Sequence, residues 1–96
     1  MHLLVTYDIN TQTREGRRRL RRSAKVCLDY GQRVQYSVFE CKVDAAQYIE
    51  FKAKLLGIVS LQTDSVRFYN LGADWDRRVE HHGVKESMNP DSPLIV

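Results

Sequence analysis

Two features of this chain have residue types suited to chemistry, and they lie close together. Asp8 closes the run Leu3-Leu4-Val5-Thr6-Tyr7. A carboxylate at the end of an apolar segment is awkward unless it points into a crevice, which makes Asp8 the sharpest candidate for a functional acid. The plainer alternative is a turn or cap residue ahead of Ile9-Asn10. The second feature follows at residues 14–25, where Arg14, Arg17, Arg18, Arg19, Arg21, Arg22 and Lys25 stand against the single acid Glu15. Guanidinium groups donate in a planar fork that matches phosphate oxygens. A solvated helix face is the alternative, but seven cations beside one anion would then mainly repel one another. The segment carries a charge of +6, while the rest of the chain, with eight basic and eleven acidic residues, carries −3. A positive field gathered on one segment is the pattern of a protein that meets a polyanion.

The elements that must position these groups are legible from periodicity. Residues 3–8 alternate as a strand, with Leu3, Val5 and Tyr7 on one face and Leu4, Thr6 and Asp8 on the other. The polar stretch Asn10-Thr11-Gln12-Thr13 supplies a helix cap. A helix over 14–29 carries the apolar stripe Leu20, Ala24, Cys27 and Leu28, and Gly31 stops it. Residues 33–43 read as two short antiparallel strands broken near Tyr36-Ser37. Asp44, with Gln47 three positions on, opens a helix over 45–58 whose stripe is Tyr48, Phe51, Leu55 and Ile58. Val66 to Leu71 is another strand, and Arg77 to His81 is expected to form a short fifth one. The order strand–helix–strand–strand–helix–strand is the ferredoxin-like α+β arrangement, here with a short C-terminal extra strand. Two helices cover only one face of a four-stranded sheet. The strands carry apolar residues on both faces, so the uncovered face predicts a two-fold dimer packed sheet against sheet.

A length of 96 residues predicts one domain with a modest core. We divide it into a body at 1–82 and a tail at 83–96 that closes on Leu94-Ile95-Val96 and is expected to pack on the partner subunit. The composition, 43% hydrophobic and 28% charged, is that of an ordinary globular protein. No apolar run approaches the ~20 residues that span a bilayer. The chain starts directly with His2-Leu3-Leu4-Val5 rather than with a basic flank and an apolar core, so no secretory signal and a cytoplasmic location are expected. Cys27 and Cys41 fit no zinc pattern and read as buried small hydrophobes. The adjacent pair His81-His82 points to opposite faces of a strand and reads as solvated rather than as a ligand pair. Trp75, between Asp74 and Asp76, reads as a packing or interface residue.

Taken in order, these segments resemble the small CRISPR-associated endonucleases of spacer acquisition. Val5-Thr6-Tyr7-Asp8-Ile9 matches that family's Tyr-Asp signature, and Arg33-Val34-Gln35-Tyr36-Ser37-Val38-Phe39-Glu40 matches its second signature. The basic first helix, Arg67-Phe68-Tyr69-Asn70-Leu71 and the ending Asp91-Ser92-Pro93-Leu94-Ile95-Val96 extend the likeness over nearly the whole chain, and the run to Cys41 with the ending points to subtype I-C. The resemblance implies a homodimer that holds DNA between dimers of the CRISPR integrase. It also implies a metal-dependent phosphodiesterase, acting on RNA in some relatives and on duplex DNA in others.

On the same grounds Asp8 is the metal-binding residue, with magnesium, or manganese in its place, as cofactor. Magnesium keeps several waters and takes one or two carboxylates, so two copies of Asp8 meeting across a dimer axis would supply the pair. The resemblance carries Tyr7, Arg33 and Phe39 over as further catalytic candidates, with core packing as the alternative for Tyr7 and Phe39. It also matches Arg17 and Arg19 to basic family positions. Three rival readings keep the fold: an architectural DNA-binding adapter without cleavage, a toxin-type ribonuclease, and a small-ligand regulatory module, against which the +6 helix and the lack of a Gly-rich ligand loop argue. No membrane partner is expected.

Overall fold

The computed structural model describes residues 1–83. The central strand β1 (His2–Asp8) pairs antiparallel with β3 (Val38–Lys42) on one side and β4 (Ser65–Asn70) on the other, and β2 (Gly31–Gln35) pairs with the far edge of β3. The sheet order is β2-β3-β1-β4. Helix α1 (Arg14–Tyr30) joins β1 to β2, and α2 (Ala45–Ile58) joins β3 to β4. This is the expected βαββαβ, ferredoxin-like order.

Each helix starts where its cap chemistry places it. The Thr13 hydroxyl accepts the Gly16 amide at 3.0 Å. Asp44 and Gln47 form a reciprocal capping box, with the Gln47 amide 2.7 Å from Asp44 Oδ1 and the Asp44 amide 2.9 Å from Gln47 Oε1. Such a cap stabilises a helix by about 1 kcal/mol. Gly31 ends α1 and opens β2. A side chain there would lie 2.2 Å from the Glu40 carbonyl, so only glycine permits this approach.

The core lies between the helices and one face of the sheet. It joins Leu3, Val5, Tyr7, Phe39 and Cys41 from the strands to Cys27, Phe51 and Leu55 from the helices. Phe51 stacks on Tyr30 at 4.6 Å and meets the edge of Phe68 at 5.7 Å, tying α2 to both α1 and β4. The stripe of α1 differs from the expected one in one member. Leu28 is exposed, and the buried positions are Gly16, Ser23 and Cys27 with Leu20 and Ala24 partly buried. Most of this stripe is small, and Gly16 packs against the Asn10 carbonyl of the preceding loop.

One further expectation is corrected. Residues 77–81 form no strand. Gly72, at φ +78°, turns the chain off the edge of β4, and α3 (Trp75–Arg78) follows. The Trp75 ring stacks on His2 at 3.9 Å, and Arg78 Nη1 donates to the Leu71 carbonyl at 3.0 Å, so these contacts hold the segment as a turn of helix. As expected, the sheet face away from the helices also carries apolar residues, here mixed with polar and charged ones among the described residues. Register places His2, Leu4, Thr6, Asp8, Val38, Glu40, Lys42, Ser65, Arg67 and Tyr69 there. Apart from Gly83, the tail expected to pack on a partner lies outside the described residues.

Candidate nucleic-acid interface and metal site

Asp8 is exposed at the last position of β1, opposite Ser65 of β4. It alternates with the buried Tyr7, so its carboxylate belongs to the uncovered face. The adjoining turn is fastened to the same strand end by the Tyr7 amide, which donates to the Ser37 carbonyl at 3.1 Å. Among the described residues no three His, Cys, Asp or Glu side chains are grouped to hold a metal ion. A single chain therefore offers a hard cation one carboxylate. That donor set fits magnesium only where substrate phosphate, water or a second copy of Asp8 completes the shell.

The other three residues carried over as catalytic candidates lie on the opposite face. Phe39 is fully buried, directly across from Val5 of β1 and Arg33 of β2. The Arg33 guanidinium lies 5.2 Å from the centre of the Phe39 ring, and its Nε is buried without a hydrogen bond. Tyr7 is 5% exposed and its ring centre is 5.9 Å from that of Phe39. Burial, the largest cause, and the neighbouring Cys27 push the Tyr7 hydroxyl up to about 12 against the opposing pull of Arg33. It thus holds its proton at neutral pH, donating to the Tyr36 carbonyl at 3.4 Å. The structure brings Tyr7, Arg33 and Phe39 together and separates them from Asp8 by the thickness of the sheet.

Helix α1 sorts its cations by register. Arg14, Arg18, Arg21 and Lys25, spaced i, i+4, i+7 and i+11, form one exposed stripe, with the exposed Arg17 and Arg22 on its flanks. Arg14, Glu15, Arg18 and Arg21 line a groove of about 450 Å³. Arg17 Nη1 donates to the Thr11 carbonyl at 3.2 Å, which ties that side chain back over the start of the helix. Such a row can track a phosphate backbone; its first member, Arg14, stands six residues after Asp8, on the side of the sheet opposite the Asp8 carboxylate.

Arg19 does not join this surface. It turns inward to Asp64, with Nε 2.9 Å from Oδ2 and Nη2 3.4 Å from Oδ1. The Asp64 side chain is fully buried. Burial alone would raise its carboxyl, but Arg19, the backbone amides of Ser60 and Asn10 and the Thr63 hydroxyl together hold it down at about 2. Sequence reading missed Asp64 because it looked like a loop acid before a strand. Its only signal was the need of one inward-facing arginine for a partner. The His81-His82 pair lies in the segment after α3 rather than on a strand, and both residues are exposed. No helix among the described residues is long and apolar enough to cross a membrane.

Residues 1–79 match the family model described as CRISPR associated protein Cas2. The Chlorobaculum tepidum protein named CRISPR-associated endoribonuclease Cas2 is 56% identical over 96 residues, which is 100% of both chains. The Halalkalibacterium halodurans protein named CRISPR-associated endonuclease Cas2 is 46% identical over 95 residues, covering 99% of each. Among solved structures, that of Streptococcus pyogenes Cas2 at pH 6.5 superposes with a TM-score of 0.77 at 58% identity, covering 86% of this chain and 100% of that one.

Proposed function

The chain belongs to the CRISPR-associated Cas2 family, and from that premise we propose that it is an endonuclease of the adaptation stage, working as a homodimer that binds nucleic acid and bridges the CRISPR integrase. Relatives carrying the names endoribonuclease and endonuclease support the nuclease reading. The run from Arg33 to Cys41 supports subtype I-C.

One observation carries the chemistry: an exposed carboxylate, Asp8, at the end of the strand that leads into the cationic face of α1. In this reading Arg14, Arg18, Arg21 and Lys25 bind and orient the phosphate backbone, an affinity that carries no base information. Asp8 and its copy in the partner subunit supply the hard oxygen ligands for magnesium or manganese. When bound, the ion stabilises charge at the phosphate and acidifies a water. Tyr7 and Phe39 hold β1 against β3 beneath this site, and Arg33 packs over Phe39. The apolar members of the sheet face away from the helices, Leu4, Val38 and Tyr69, support a dimer contact there, which would bring the two Asp8 carboxylates toward one axis.

The absence of a three-ligand cluster among the described residues supports a second reading, a DNA-binding adapter that does not cut. Incubating the purified protein with duplex DNA and with single-stranded RNA, in magnesium, in manganese and in chelator, separates the two. The proposal expects metal-dependent cleavage of at least one substrate. Intact binding with no cleavage of either would leave the adapter.

A further inference from the structure

We infer that Asp64, which no signature in the sequence marks, is a positioning residue for Asp8, acting through a clasp that includes Arg19 and Gly16. This rests on the reading of Asp8 as the metal-bearing carboxylate.

The clasp closes from three sides on the chain just beyond Asp8. Asp64 Oδ1 accepts the Asn10 amide at 3.0 Å, and Oδ2 accepts the Ser60 amide at 2.9 Å. Arg19 reaches both oxygens from α1, and the Thr63 hydroxyl donates to Oδ1 at 3.1 Å. The next residue, Ser65, is the strand partner of Asp8. The dipeptide Asp64-Ser65 therefore holds residues 8 and 10 together, and residue 9 between them is buried. From the other side, the Asn10 carbonyl presses against Gly16. A Cβ built on that glycine would stand 1.9 Å from the carbonyl oxygen, so the first turn of α1 is shaped to receive the loop.

The arrangement requires a carboxylate in particular. Every group that meets the Asp64 carboxylate donates to it, and an ionised carboxylate only accepts. An asparagine keeps Oδ1 but turns an NH₂ toward the Ser60 amide and Arg19, donor against donor. The loop that follows Asp8 would then lose its anchor while the core, made by other residues, stays. An isolated exposed carboxylate is a weak ligand when its backbone wanders, because binding must then order the chain as well as the ion. Holding it still is the work that outer-shell partners do at metal sites.

The test reads metal binding rather than cleavage. Amide spectra of Asp64→Asn, Gly16→Ala and Asp8→Asn are recorded during manganese titration without nucleic acid, well below each melting point, and the concentration that half-broadens the amides around residue 8 is compared. The clasp predicts that Asp64→Asn and Gly16→Ala raise that concentration about tenfold, the lower end of what loss of an outer-shell partner produces. Well below the melting point the folded fraction stays near one, so general destabilisation leaves this midpoint unmoved. Two outcomes overturn different claims. If Asp8→Asn abolishes the broadening while both clasp variants titrate as the wild type does, Asp64 is not a positioning residue. If Asp8→Asn itself binds manganese as the wild type does, Asp8 is not the ligand, and the clasp loses its object.

Discussion

Arg19 and Asp64 meet across 45 positions of sequence, Nε to Oδ2 at 2.9 Å, with the carboxylate wholly out of water. The pair fastens the most basic helix of the protein to the start of β4. A buried carboxylate with a full set of donors is strongly favoured in its charged form.

This fixes a pH dependence. The Asp64 carboxyl titrates at about 2 when folded against an ordinary 3.8. Its contribution to stability is therefore complete above pH 3.8 and fades as the pH falls toward 2. Asp64→Asn should cost about 2 kcal/mol near neutral pH, the range of hydrogen bonds to a charged group. Urea unfolding of both proteins at several pH values should show that gap narrowing between pH 3.8 and 2. A gap that stays constant through this window would mean that the charge on Asp64 is not what binds Arg19.

The arginines predict two different phenotypes on one helix. Neutralising Arg14, Arg18, Arg21 and Lys25 together should weaken duplex DNA binding for all sequences and flatten the salt dependence by about 0.9 for each phosphate that the helix no longer neutralises. Arg19→Ala should instead lower the melting temperature while leaving the slope nearly unchanged. Filter binding from low to moderate salt, beside thermal unfolding, checks both. A flattened slope in Arg19→Ala would return that residue to the interface.

Cys27 and Cys41 are fully buried, and burial, the larger cause for each, pushes their thiols up to about 12 and about 11. A thiol reacts as its thiolate. Both should resist a disulfide reagent at pH 8 in the folded protein and react together on unfolding. Rapid labelling of either thiol in the native state would contradict their burial.

Much of this architecture was legible from local signals. Alternation in residues 3–8 placed Tyr7 and Asp8 on opposite faces, the Asp44–Gln47 pair opened α2, and the break at Tyr36-Ser37 divided β2 from β3. What local signals could not reach depended on contacts distant in sequence. Nothing near Trp75 announces that it stacks on His2, so the segment after β4 read as a strand. Composition could not sort seven cations on α1, because the sorting comes from a buried acid 45 residues away. Leu28 looked like core by its spacing, but the buried stripe of α1 runs through Gly16, Ser23 and Cys27 and leaves it exposed. The Tyr-Asp signature drew attention to residues 7 and 8 as a pair, whereas the fold assigns one to the core and the other to solvent.

The central claim is that Asp8 supplies the charge that holds the metal and does nothing for the fold or for DNA affinity. Cleavage, molecular mass by sedimentation and duplex DNA affinity should be measured on one preparation of Asp8→Asn beside the wild type. The account predicts magnesium-dependent cleavage reduced to background, with the mass and the DNA affinity of the wild type, because asparagine keeps the shape and one oxygen but removes the charge a hard cation requires. Cleavage at the wild-type rate would contradict it.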